Sequence, residues 1–264
     1  MSNINLLHDC KSISTYDSLF QYSISEFLEW VHQYPDTNWE FRFNELSFNQ
    51  LLGVRYAVID TSIGEGFMSN GYYAEELQRF ILYRVMKYKT ETSLAFTYNA
   101  VDTYDTLEKF MQNNEDYPLF ELGAKMDQTL FVEDEEDLTA FKNHTNQDVQ
   151  SRIFFQPLSY SQIYVSFDMT LPVSKMVYFS IPYDKGWRVT LDGQEIEPIK
   201  VQGGFMSLAI DGGSHKVEFK FIPVRLIQGL IMSGLSILVF IFLHWGKILK
   251  SRFIKVIKFK MKRI

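Results

Sequence analysis

Apolar positions change their rhythm along this chain, and the changes mark out its elements. Phe20, Ile24, Phe27, Leu28 and Val31 recur at i, i+4, i+7, i+8 and i+11, the spacing of one helix face. Ser23 and Glu26 stand at capping-box spacing inside that stretch, and Pro35 follows its end. Residues 51–60 (LLGVRYAVID) read as a short buried strand in which Val54, Tyr56 and Val58 alternate with Arg55 and Ala57. A second helix is predicted over residues 105–112, opened by Asp105 with Glu108 three positions on.

From residue 151 the pattern becomes that of strands. Ile163, Val165, Phe167 and Met169 alternate, and residues 176–181 form a continuous apolar run. Residues 187–191 and 194–199 flank Asp192-Gly193, a type I′ hairpin signal. Residues 205–210 and 215–221 flank the longer loop Asp211-Gly212-Gly213-Ser214. Closely spaced short strands with turn dipeptides between them predict an antiparallel sandwich, ended by Pro223. The rhythm changes again over residues 226–243 (LIQGLIMSGLSILVFIFL), eighteen positions without a charge. A helix of that length approaches the ~30 Å of a bilayer's hydrocarbon core. The expected fold class is therefore α+β: a mixed N-terminal α/β part over 1–150, an antiparallel β-sandwich over 151–223, and one transmembrane helix over 224–245. A basic tail over 246–264 completes the chain.

Charge gives that reading a direction. After Leu243 come Lys247, Lys250, Arg252, Lys255, Lys258, Lys260, Lys262 and Arg263, with no acid among them. The positive-inside bias places this tail in the cytoplasm and residues 1–222 outside the cell membrane. As a helix the tail is moderately amphipathic and suited to the inner leaflet, each cation contributing ~1 kcal/mol against anionic lipid. The chain carries 26 Lys+Arg against 32 Asp+Glu, and setting the eight tail cations aside leaves 18 against 32, about −14. So acidic a body excludes a nucleic-acid partner and leaves membrane lipid as the tail's own. Residues 1–14 have neither the basic start nor the apolar run of a signal peptide, so the chain is expected to be the C-terminal piece of a larger polytopic protein. Cys10 is the single cysteine, which excludes an intrachain disulfide.

Candidate chemistry is sparse. The acidic cluster Glu133-Asp134-Glu135-Glu136-Asp137 lacks the loop spacing of a calcium site and reads as a helix start. No two histidines stand at metal-ligand spacing, so neither a metal nor a cofactor is expected. Trp187 has two readings, a sugar-stacking platform or a core side chain of its strand. Tyr16, Asp17 and Ser18 likewise form either an exposed substrate-binding segment or the cap of the helix through Phe20.

Taken in order, several segments resemble one bacterial family. The run Ile181-Pro182-Tyr183-Asp184-Lys185-Gly186-Trp187-Arg188-Val189, then Asp192-Gly193, Gly203-Gly204-Phe205, Gly213-Ser214-His215-Lys216-Val217, Phe221-Ile222-Pro223 and Gly229 look like the C-terminal module of the YfhO family. Asn5-Leu6 with Tyr16-Asp17-Ser18-Leu19 resembles that family's "YSS" segment, Asp17 standing where the family has a serine. Leu51-Leu52-Gly53-Val54-Arg55-Tyr56 resembles its "LLGVKY" strand, whereas Lys89-Thr90-Glu91-Thr92 departs from its usual Asn and Leu-Pro.

The resemblance implies a parent similar to GT-C-type glycosyltransferases, using a polyprenyl-phosphate sugar to modify a lipoteichoic or wall teichoic acid acceptor outside Gram-positive cells. It also implies an early external loop carrying the catalytic acid, which this sequence does not contain. The expectation is a final external domain with its last helix, inactive in transfer by itself. The rival expectations are a non-enzymatic membrane-anchored surface domain that binds glycan or a partner protein, and the remnant of a broken gene.

Overall fold

The computed structural model describes residues 27, 46–53, 56–60, 74–79, 83–88, 93–112, 119–142, 152–161 and 163–261. The chain divides into two units, Met1–Phe221 and Ile222–Ile264. The first unit is built around two large sheets. Helix α1 (Leu46–Leu51) precedes β1 (Tyr56–Asp60), β2 (Ala74–Arg79) and β3 (Tyr83–Tyr88), which pair as a small separate sheet in the order β1-β3-β2. Next come β4 (Ala95–Tyr98), β5 (Ala100–Thr103), α2 (Tyr104–Gln112), α3 (Leu119–Gln128), β6 (Thr129–Val132) and α4 (Glu135–Lys142). The remaining strands are β7 (Phe154–Phe155), β8 (Ser159–Tyr160), β9 (Tyr164–Leu171), β10 (Lys175–Pro182), β11 (Trp187–Leu191), β12 (Gln194–Ile196), β13 (Ile199–Val201), β14 (Phe205–Ile210) and β15 (Gly213–Phe221).

A seven-stranded sheet, ordered β5-β6-β13-β14-β10-β4-β7, lies between a helical layer and a five-stranded sheet, β12-β11-β15-β9-β8. Its strand β10 is buried on both faces, which explains the continuous apolar run in the sequence. Met176 and Tyr178 pack among Tyr104, Leu107, Leu122, Met126, Leu138 and Phe141 of the helices. Val177, Phe179 and Ile181 face Val165, Phe167, Val217 and Phe219 of the other sheet. Among the described residues all but one of the strand pairs run antiparallel, β5 and β6 being the parallel exception. The α+β, sandwich-like class expected from the sequence is what the structure has.

Several local expectations shift. The strand expected over residues 51–60 begins only at Tyr56, because Leu51 ends α1 and Gly53 turns the chain at φ +66°. The helix expected at Asp105 starts at Tyr104, and its first turn is held by Asp102, whose Oδ1 accepts from the Thr103 N–H (2.8 Å) and the Thr106 hydroxyl (3.1 Å). Asp105 instead pairs with Lys109 one turn on, at 2.6 Å. The strand expected over residues 194–199 ends at Ile196, and the chain then crosses to the other sheet as β13. Strands from both sides of residue 150 share the seven-stranded sheet, since β4, β5 and β6 lie in it with β10, β13 and β14. Of the predicted N-terminal helix face only Phe27 is described. It is helical and buried, its ring edge-on to Phe48 and Phe205 at 6.0 and 5.2 Å.

The second unit contains one unbroken helix, α5 (Leu226–Met261). It begins two residues after the expected start of the span and continues into the basic tail, also read as helical from the sequence. Among the described residues no helix is long and apolar enough to cross a membrane.

Candidate functional site

The β13–β14 turn is tightly constrained. Gln202 and Gly203 both have left-handed backbones, φ +52° and +73°, and the turn closes through the Gly204 N–H to Val201 O at 3.0 Å. A left-handed glutamine is unusual, and this one is fully buried. Its backbone N–H donates to Phe131 O at 3.0 Å. Its side-chain Nε2 lies 2.8 Å from Met126 O, 3.0 Å from Thr129 O and 3.2 Å from the Tyr98 hydroxyl. Tyr98 in turn donates to Met126 O at 2.6 Å, and the Gly203 N–H donates to the Tyr104 hydroxyl at 2.8 Å. One residue thus ties the C-terminal end of α3 and the start of β6 to the β13–β14 turn.

Arg152 extends this cluster. Its Nη1 donates to Asp127 Oδ1 at 2.5 Å and its Nη2 to the Asp127 carbonyl. The guanidinium lies over the rings of Phe96 and Tyr98, 4.7 and 5.2 Å from their centroids. Burial pushes the Tyr98 hydroxyl far above its ordinary pKa, against the opposing field of Arg152. Tyr98 is 1 % exposed and Gln202 0 %. The phenol stays protonated and out of reach of a solute, so this cluster is architectural.

Two polar groups lie nearer the surface. Asp192 has φ +52° in the hairpin, and its Oδ1 accepts from the Lys216 N–H while Oδ2 lies 2.8 Å from His215 Nδ1. Those contacts, the backbone bond first, hold the Asp192 carboxyl below its ordinary range. A carboxylate on Nδ1 is the arrangement that orients a general base. Here the working atom, Nε2, is buried and makes no hydrogen bond, so the pair braces the hairpin rather than serving a substrate. On the outer face of the five-stranded sheet, Glu218 Oε1 accepts from the Tyr164 hydroxyl at 2.5 Å and from Lys216 Nζ at 3.0 Å. Both contacts keep Glu218 ionised, and Lys216 is held protonated by the same pair. Thr170, Ser214, Arg188 and Glu195 continue this polar face, where Arg188 meets Glu195 at 3.1 Å. It offers alternating donors and acceptors of the kind polyhydroxylated ligands bind.

Of the residues singled out from the sequence as substrate-binding candidates, the structure describes Trp187. Trp187 is half-buried in the sandwich, its ring 5.1 Å from Phe221 and edge-on to Phe219 at 6.3 Å. Tyr16, Asp17 and Ser18 lie outside the described residues. The acidic cluster opens α4, where Asp134 Oδ1 accepts from the Glu136 and Asp137 N–H groups at 3.0 and 2.9 Å. That is a helix cap, as its reading as a helix start expects. Lys175 carries no signal in the sequence. It is buried, its Nζ reaches Asn99 Oδ1 at 2.5 Å, and desolvation lowers its pKa.

Residues 134–233 match the family described as bacterial membrane protein YfhO. This segment belongs to the YfhO family. It runs from the cap of α4 through β7–β15 into the first turns of α5. The YfhO segment therefore contains Gln202 and Arg152 but not Tyr98, Met126, Asp127 or Thr129, so the buried cluster is where that segment grips the preceding part of the chain. No curated protein and no solved structure matches the chain.

Proposed function

We propose that this chain is a membrane-anchored external domain of a YfhO-like glycosyltransferase, engaging the polymer acceptor in cell-wall glycosylation without carrying out sugar transfer itself. The observation behind this reading is the surface of α5. Leu230, Ile231, Met232, Leu235, Ile237, Leu238, Val239, Phe240, Ile241 and Phe242 are 46–79 % exposed. A helix apolar on all sides finds its environment in lipid or in a large core. Ser236 satisfies its hydroxyl within the helix, donating to Met232 O at 2.8 Å. The uncharged sequence runs on to Leu243, giving eighteen residues, and the eight cations beyond it favour a cytoplasmic C-terminus. The family match to a bacterial membrane protein supports the same anchoring.

The non-catalytic part of the reading rests on the described polar clusters. The Tyr98–Gln202 and His215 groups are closed off, and Glu218 is tied to Tyr164 and Lys216. The open polar face suits retention of a glycan acceptor rather than activation of its hydroxyl. The test is deletion of this coding segment in a producing bacterium, with sugar on the wall polymer measured by mass spectrometry. Loss of the modification is expected, together with no transfer from a polyprenyl-phosphate sugar by the purified chain. Unchanged modification, or transfer by the purified chain, overturns the reading.

A further inference from the structure

Within the first unit, the described residues include three exposed large apolar side chains, Leu158 (66 %), Tyr160 (40 %) and Ile163 (62 %). All three fall within six positions of sequence: Leu158 just before β8, Tyr160 at its end and Ile163 just before β9. The reversal between the two strands is closed by the Ser161 N–H to Tyr164 O at 2.7 Å. Such clustering contrasts with the scattered single apolar residues of an ordinary surface.

Their place in the sheet gives the cluster meaning. β9 pairs with β15 from Tyr164↔Lys220 to Leu171↔Gly213, and the Phe221 N–H donates to Ile163 O at 2.9 Å. Ile163 therefore lies at the sheet end where the chain leaves β15. Only residues 222–225 separate that strand from α5. Trp187 pairs with Phe221 at the same level, and Lys220 is exposed beside it. The far end of β15 carries Gly213 and Ser214, the latter roughly 23 Å away at the rise of a strand.

We propose that Leu158, Tyr160 and Ile163 form a second membrane contact, seated at the headgroup–acyl boundary of the bilayer that holds α5. This inference rests on the membrane anchoring proposed above. Three side chains are too few for a stable protein interface of ~800 Å² per partner. An aromatic with a hydroxyl, flanked by aliphatics and close to a lysine, is the composition that settles at a lipid interface.

The test uses the full chain with Cys10→Ser, reconstituted into vesicles of phosphatidylcholine and phosphatidylglycerol. Single cysteines at Ser161, Ser214 and Ser236 each carry an environment-sensitive fluorophore, and lipids bear a quencher at shallow or deep positions. Loss of fluorescence to the shallow quencher is expected at 161 and absent at 214, while the deep quencher acts at 236. Replacing Leu158 and Ile163 with serine should abolish the loss at 161 and leave that at 236, with circular dichroism unchanged. Quenching at 236 without quenching at 161 overturns this contact and leaves the anchor standing. No quenching at 236 overturns the anchor itself, and the contact with it.

Discussion

The side-chain amide of Gln202 donates to the hydroxyl of Tyr98 at 3.2 Å, joining positions 104 residues apart. The same Nε2 serves Met126 O and Thr129 O, so truncation takes this donor from Thr129 O at the start of β6, while Met126 O keeps the Tyr98 hydroxyl. Gln202→Ala is expected to lower stability by about 1–3 kcal/mol, the cost of losing a buried amide donor and leaving an acceptor unsatisfied. Gln202→Gly relieves the left-handed backbone but loses the amide, so it should be destabilised less than the alanine variant. Urea denaturation of the chain in detergent micelles measures both. A loss under about 0.5 kcal/mol for Gln202→Ala would mean the turn is held by its backbone alone.

A second expectation concerns the hairpin. Gly193 has φ +81°, and a Cβ placed on it would meet open space, with no atom within 4 Å. Any penalty for a side chain there is therefore one of backbone conformation. Gly193→Val should cost on the order of 1–2 kcal/mol, whereas Gly193→Asn, which visits the left-handed region readily, should cost much less. Equal stability of the two variants in thermal unfolding would contradict the type I′ assignment.

Asp192 makes stability depend on pH. Its carboxyl is held below the ordinary range by the Lys216 N–H and by His215. A carboxyl depressed in the folded state contributes stability above its unfolded value and loses it as pH falls through the folded one. Unfolding midpoints should therefore drop between the ordinary carboxylate range and more acid pH. Asp192→Asn should flatten that drop while keeping the turn, because asparagine tolerates φ +52°. An acid profile identical in the two proteins would remove Asp192 from the account.

Much of the sandwich is legible because its strands obey simple rules. Val165, Phe167, Met169 and Leu171 alternate inward, Asp192-Gly193 forms the hairpin, and Trp187, Val189 and Leu191 line the inner face while Arg188 points out. The continuous run Met176 to Ile181 holds a further message. Burial on both faces implies a third layer, supplied here by α2, α3 and α4. Gln202 is not legible at all. A glutamine before two glycines carries no periodic signal, and its partners Tyr98, Met126 and Thr129 are fixed only by tertiary packing. Asp102 is masked by its neighbour Asp105, which matches a capping pattern whose hydrogen bonds the fold directs elsewhere.

Arg152 and Asp127 supply the last expectation. Their side chains are 22 % and 27 % exposed, and the guanidinium is held between that carboxylate and the rings of Phe96 and Tyr98. Lysine preserves the charge but has neither the planar fork nor the flat face that lies over the rings. Arg152→Lys should therefore lose about 1–2 kcal/mol, close to the loss in Arg152→Ala, because geometry rather than charge is being removed. A double-mutant cycle of Arg152→Ala with Asp127→Ala should return a coupling of about 0.5–3 kcal/mol. This contact joins the YfhO segment to α3, so Arg152→Lys should also raise proteolytic cleavage between residues 113 and 151. Full stability in Arg152→Lys would show that the ion pair alone, and not the stacked guanidinium, holds the two parts together.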